Sequence, residues 1–188
     1  MWCIRMATNQ IQIEQKGGGT MSKAVLISIR PKWCEKICRG EKTIEVRKSR
    51  PKLTPPFKCY IYRTKGTVPH IINDKWVQME VGGTIIAEFT CDRIYELAPL
   101  NHAPDDVEQQ ACLTRDEIVR YLKGVGYGWH ISNLKIYDPL KKLSEFKGLC
   151  KVESDCCACP HYNYSKMDCD GRTIKRPPQS WCYVEEQR

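Results

Sequence analysis

The sequence predicts a small mixed α+β barrel with two or more short helices and a cysteine-rich insertion ahead of its last strand. Three observations carry this. The 188 residues allow one ordinary domain and a small appendage, and no second full domain. Short strand-like runs recur with Gly- or Pro-rich turns between them, which favours closure over a doubly wound sheet. Helical signals are confined to two brief stretches.

Residues 1–22 are polar, end in Gly17-Gly18-Gly19 and are expected to be a disordered leader, which leaves the true start at Met1 or Met21 open. Ala24–Ile29 is a continuous apolar run and the first buried strand. Pro31 opens a short helix, where its missing N–H is tolerated, with Trp33 and Ile37 on the inner face and Gly40 just past its end. Residues 43–47 alternate, placing Ile44 and Val46 on one face and Thr43, Glu45 and Arg47 on the other. Gly40 turns the chain so that Lys42 is expected at the mouth between helix and strand.

Pro51, Pro55 and Pro56 lead into the strand Cys59–Tyr62. Residues 65–80 read as a surface excursion closed by Gly82-Gly83, and a strong strand follows from Thr84 towards Ile94. Thr114 and Glu117 have capping-box spacing and open a helix through Leu122, which Gly124, Gly126 and Gly128 break. Residues 129–131 and 134–136 are strand-like, with Pro139 closing the run, and residues 181–184 form the last strand.

Charge is localised. Residues 30–65 hold twelve Lys and Arg against Glu35, Glu41 and Glu45, an excess of +9 in a chain whose net charge is +8. A basic field confined to one segment suits a polyanion such as nucleic acid, with an ordinary solvated surface as the alternative. No apolar run approaches the ~18 residues of a membrane span, and residues 1–19 lack the apolar core of a signal peptide. A cytoplasmic protein without a membrane partner is the expectation.

Six of the twelve cysteines, Cys150, Cys156, Cys157, Cys159, Cys169 and Cys182, crowd the last forty residues. In a reducing compartment such crowding points to metal ligands before disulfides. Cys156 and Cys159 make a Cys-x2-Cys knuckle that Cys150 and Cys169 complete as a tetrathiolate zinc site, with Cys157 and His161 as alternative ligands. A segment 150–170 with so few apolar residues has no core of its own, and zinc would supply the missing stability. A loop of free thiols is the plainer reading, and Cys182 is expected to be a buried thiol.

Residues 28–33 (Ser-Ile-Arg-Pro-Lys-Trp) followed by 40–48 (Gly-Glu-Lys-Thr-Ile-Glu-Val-Arg-Lys) closely resemble the signature of the ASCH domain family, part of the PUA-like β-barrel superfamily. Residues 83–94, 128–131 and 177–184 look like further family elements, so the resemblance spans roughly 23–149 and 172–188. It implies a barrel with a cleft beside the first helix that faces RNA, single-stranded nucleic acid or a modified nucleoside. The residues expected there are Lys32, Trp33, Lys42, Glu45, Arg47, Lys48, Arg50 and Trp129. Arg binds a phosphate or base edge bidentately, Glu accepts from an exocyclic amine, Lys is a compact cation, and a Trp can stack a base. For Trp33 and Trp129 a place in the core is the simpler reading, with base stacking the alternative.

One ASCH subgroup removes acyl groups from the N4 of cytidine with a Lys, a Thr and a Glu, in a Lys-x-x-Thr motif. Here Lys42 matches, but Glu45 occupies the Thr position, and Thr43 is two residues away on the same strand side. A carboxylate does not replace a hydroxyl nucleophile on equal terms. Binding is therefore the first reading, with Lys42, Glu45 and Thr43 as the catalytic set if the chain is a hydrolase of acylated cytidine or of RNA. A protein-interaction module is the third.

Overall fold

The computed structural model describes residues 22–97, 103–149 and 172–187, with residues 162–163, 165 and 168–169 between the last two stretches. The first strand, β1 (Lys23–Ile29), is apolar from Ala24 to Ile27 and at Ile29 because both of its faces are covered. Val25, Ile27 and Ile29 join one core cluster, while Ala24 and Leu26 join a second on the opposite side. The helix α1 (Pro31–Cys38) follows, with Pro31 in its first turn and Gly40 at φ +74° just beyond its end. Its buried residues are Pro31, Cys34 and Ile37, whereas Trp33 is only half-buried at the core's edge.

The strand β2 (Ile44–Arg47) is buried on both faces, and β3 (Phe57–Arg63) runs parallel to β1. Residues 65–80 are exposed as expected, but they are ordered as a hairpin of β4 (Gly66–Ile72) and β5 (Lys75–Val81). Asn73 and Asp74 both have positive φ at its two-residue turn, a twist that matches two antiparallel strands. β6 (Thr84–Cys91) and β7 (Ile94–Glu96) come next, then the helices α2 (Val107–Ala111) and α3 (Arg115–Leu122). The capping box of α3 is present, with the Thr114 hydroxyl accepting from the Glu117 N–H and the Glu117 carboxylate accepting from the Thr114 N–H.

β8 (Tyr127–His130) is followed by β9 (Ser132–Lys141), which continues through Pro139 rather than stopping there. An edge strand tolerates proline because one side of its backbone needs no ladder partner, and β9 is an edge. The short pair β10 (Tyr162–Asn163) and β11 (Asp168–Cys169) is antiparallel, and β12 (Trp181–Glu185) returns to pair with β1.

These strands correct the expectation of a closed barrel. Among the described residues they divide into a five-stranded sheet, ordered β12-β1-β3-β6-β9, and a separate three-stranded sheet, ordered β2-β8-β7. The chain passes from one to the other at Asp92-Arg93, between β6 and β7, and returns at Ile131, between β8 and β9. Closure fails at β2. Its inward residues Glu45 and Arg47 are charged, and it has no ladder to the larger sheet; the Arg47 side chain reaches across to the Ser28 carbonyl of β1 instead.

The outer face of the small sheet is covered by the helices, where Ile44 and Val46 pack with Val107, Ala111, Ile118 and Leu122. Gly128 in β8 permits this closeness, since a Cβ there would lie 2.9 Å from the Ile44 side chain. The fold is thus mixed α+β, with a polar opening between its two sheets.

Candidate functional site

The opening between β1, α1, β2 and α3 is a cavity of about 410 Å³. That is ample for one small heterocycle, within the ~300–1,000 Å³ typical of ligand pockets. Strand alternation sends Glu45 and Arg47 to its floor, opposite Ile44 and Val46, as the sequence leads one to expect. Lys42 joins them, but not at the mouth: it is 2% exposed, against 6% for Glu45 and 7% for Arg47.

The three form one buried charge cluster. Arg47 Nη2 lies 3.0 Å from Glu45 Oε1, and Lys42 Nζ lies 3.5 Å from Glu45 Oε2. Lys42 also donates to the Ala111 carbonyl at 2.6 Å, which ties the floor to the end of α2. Arg47 donates to the Ser28 carbonyl at 2.6 Å and to Ser180 Oγ at 3.3 Å, joining β2 to β1 and to the segment before β12. Two cations therefore share one carboxylate. Burial holds the Lys42 ammonium below its ordinary pKa, and the charge of Glu45 opposes that shift only in part. Two polar atoms of the cluster, Glu45 Oε2 and Arg47 Nε, are buried without a hydrogen-bond partner among the described residues. The floor therefore suits a ligand that presents a donor beside an acceptor.

The walls are aromatic and the rim is basic. Trp33 lines the cavity, with the ammonium groups of Lys42 and Lys32 at 5.1 Å and 4.7 Å from its ring centroid. Tyr121 lines it from α3, with Lys48 Nζ 5.4 Å from its ring centroid. Arg50 sits over Tyr127 at 5.6 Å. Lys32, Lys48 and Arg50 are exposed and belong to no ion pair among the described residues.

Five sequence candidates are outside the lining, among them Lys32, Lys48 and Arg50. Trp129 is fully buried in the core against Phe57 and Trp181 and does not line the cavity. Thr43 is outside the lining too, and its hydroxyl donates to Gln110 Oε1 at 3.2 Å. Conversely, Ser28, Arg30, Thr64, Glu117, Tyr121 and Gln179 line the cavity without having been singled out as site residues. Ser28, Arg30 and Gln179 lie inside the motifs that carry the family resemblance, and Glu117 inside the capping box. Capping fixes the Glu117 carboxylate, since the Thr114 N–H and hydroxyl hold its pKa below the ordinary value.

Of the proposed zinc ligands, Cys150, Cys156 and Cys159 lie outside the described residues, as do Cys157 and His161, while the backbone of Cys169 pairs with Tyr162. Among the described residues no group of three or more His, Cys, Asp or Glu could hold a metal ion. The described thiols are free; burial pushes Cys34 and Cys91 up to about 12, and raises Cys182 as well. No described helix is long and apolar enough to cross a membrane.

No family model matches the chain, and no curated protein does. Among solved structures it is similar to the ASCH protein of Zymomonas mobilis, with a TM-score of 0.54 at 15% identity over 87% of this chain and 88% of that one. A serine-to-alanine mutant of the same protein gives a TM-score of 0.55 at 15% identity, over 87% and 89%. Two sheets with a polar cavity between them thus place the chain in a recognised architectural class. Its fold is ASCH-like.

Proposed function

We propose that the chain binds RNA, single-stranded nucleic acid or a modified nucleobase, admitting one base into the cavity and holding the adjoining backbone on its basic rim. The observation that carries this reading is the floor, where Glu45 Oε2, ion-paired with Lys42 but with no hydrogen-bond donor among the described residues, accepts from a base amine or ring N–H. Beside it, the surplus positive charge of Lys42 and Arg47 favours a carbonyl or ring nitrogen. Exposed cations without carboxylate partners among the described residues at Lys48 and Arg50, with Lys52 beyond them, supply phosphate contacts that carry no sequence information.

The test is titration of fluorescent single-stranded oligonucleotides at several salt concentrations. With three phosphate contacts, log K is expected to fall with log salt at a slope of about −2, roughly 20-fold between 50 and 200 mM. Replacing Lys48, Arg50 and Lys52 together should flatten that slope and weaken all sequences alike. Glu45→Gln should instead change which base is preferred. Salt-independent binding, or none, would overturn the reading.

A hydrolase of the same fold is the second reading, favoured by one observation: a buried lysine with a lowered pKa beside a carboxylate is a common catalytic arrangement. The Thr43 hydroxyl is turned to Gln110 and away from the cavity, which supports binding over acyl transfer. Lys42-dependent hydrolysis of an N4-acylated cytidine would reverse that order.

The zinc proposal stands on the cysteine spacing. Elemental analysis of protein purified without chelators should find close to one zinc per chain, lost on replacing Cys156 or Cys159 and kept on replacing Cys34. Metal-free protein would refute it.

A further inference from the structure

Tyr121 is placed unlike the other aromatic residue of the cavity wall. It lines the cavity yet is 44% exposed, and it stands one helical turn after Glu117, so both project from the same side of α3. Ile118 and Leu122, on the neighbouring side, are locked into the core between α3 and the small sheet, which fixes the direction in which Tyr121 stands. Its ring therefore stands at the rim, half exposed to solvent. The Lys48 ammonium lies over that ring, and two residues further along the chain Arg50 lies over Tyr127.

Tyr127 is the register partner of Arg47, so the second cation–aromatic pair begins where the cavity floor ends. Neither cation pairs with a described carboxylate. Aromatic rings bearing unpaired cations along a backbone segment match the alternation of base and phosphate in a single strand. With one base in the cavity, the next base of a strand would meet the exposed ring of Tyr121 at the rim.

We propose that the site recognises a strand of at least two nucleotides rather than a free nucleoside, the second base stacking on Tyr121 while Lys48 moves onto the intervening phosphate. This rests on the cavity taking the first base. Stacking is sequence-tolerant because every base presents a π-face, so the Tyr121 step adds affinity without adding base preference.

Binding of the four ribonucleosides and the four homodinucleoside monophosphates (ApA, CpC, GpG, UpU), measured by calorimetry, tests it. For the preferred base the dinucleotide should bind about tenfold more tightly than the nucleoside. Tyr121→Ala should bring that ratio near one, Tyr121→Phe should preserve it, and Lys48→Gln should weaken the salt dependence of dinucleotide binding. Equal affinities for nucleoside and dinucleotide on the native chain would overturn the Tyr121 step and leave the base cavity standing. A ratio lost in Tyr121→Phe would overturn stacking in favour of the hydroxyl. Failure of all eight compounds to bind would overturn the two-nucleotide step, while the oligonucleotide titration decides the base cavity separately.

Discussion

Truncating Trp129 to alanine is expected to destabilise the fold by about 3–5 kcal/mol, lowering the melting temperature by on the order of 10 °C. The side chain is wholly enclosed, edge-on to Phe57 with ring centroids 6.1 Å apart and tilted against Trp181 at 5.9 Å. These partners come from β3 and β12 of the large sheet, while Trp129 comes from β8 of the small one. With no ladder joining the two sheets among the described residues, this aromatic contact is part of what holds them together. Trp129→Phe should cost distinctly less than its lost area suggests. The Trp129 Nε1 is buried without a hydrogen-bond partner among the described residues, and removing an unsatisfied donor returns about 1–3 kcal/mol. Chemical denaturation of both variants checks this. An alanine variant as stable as the native chain would show that the sheets are held together elsewhere.

Trp129 also marks where the sequence stops being legible. The segments that can be read from it carry local signals: the apolar run of β1, Pro31 and Gly40 around α1, and the Thr114–Glu117 box before α3. The hairpin of β4 and β5 was readable only as an excursion, because both of its faces are open. Ile71 and Trp76 are exposed, so no inside–outside alternation encodes it. The separation into two sheets is illegible for a different reason: it depends on Glu45 and Arg47 facing the larger sheet across a gap, a long-range arrangement.

The cavity shows the same division. The alternation of residues 43–47 was enough to group Glu45 with Arg47, and the Gly40 turn to bring Lys42 near them. It could not show that the Ala111 carbonyl, far along the chain, would draw Lys42 inward. Nor could it show that Tyr121 and Gln179 would converge on the same space. The two tryptophans were indistinguishable as sequence, because core packing and base stacking draw on the same residue type. Only their enclosure separates them, with Trp33 half-buried on the cavity wall and Trp129 sealed in the core.

Glu45→Ala is expected to cost as much as the loss of Trp129, about 3–5 kcal/mol at neutral pH, because it leaves two buried cations without their carboxylate. The cause can be separated from simple loss of packing by pH. Burial lowers the Lys42 pKa from the ordinary 10.5, and the Glu45 charge is the largest opposing influence. Between its folded and unfolded values the unfolded chain binds more protons at Lys42, so the stability contributed by this group rises with pH across that interval. Removing Glu45 lowers the folded value further and widens the interval. The deficit of Glu45→Ala should therefore shrink as the pH is raised from 7 to 10, towards the ordinary lysine value of 10.5. Combining it with Lys42→Met should recover part of the loss at pH 7, since an apolar side chain of similar length needs no counter-charge. Urea unfolding of the native chain, both single variants and the double variant at the two pH values completes the cycle. A deficit that is the same at both pH values, and that Lys42→Met fails to relieve, would mean that Glu45 acts by packing rather than by neutralising Lys42. The floor would then lose its standing as a charge-tuned recognition surface.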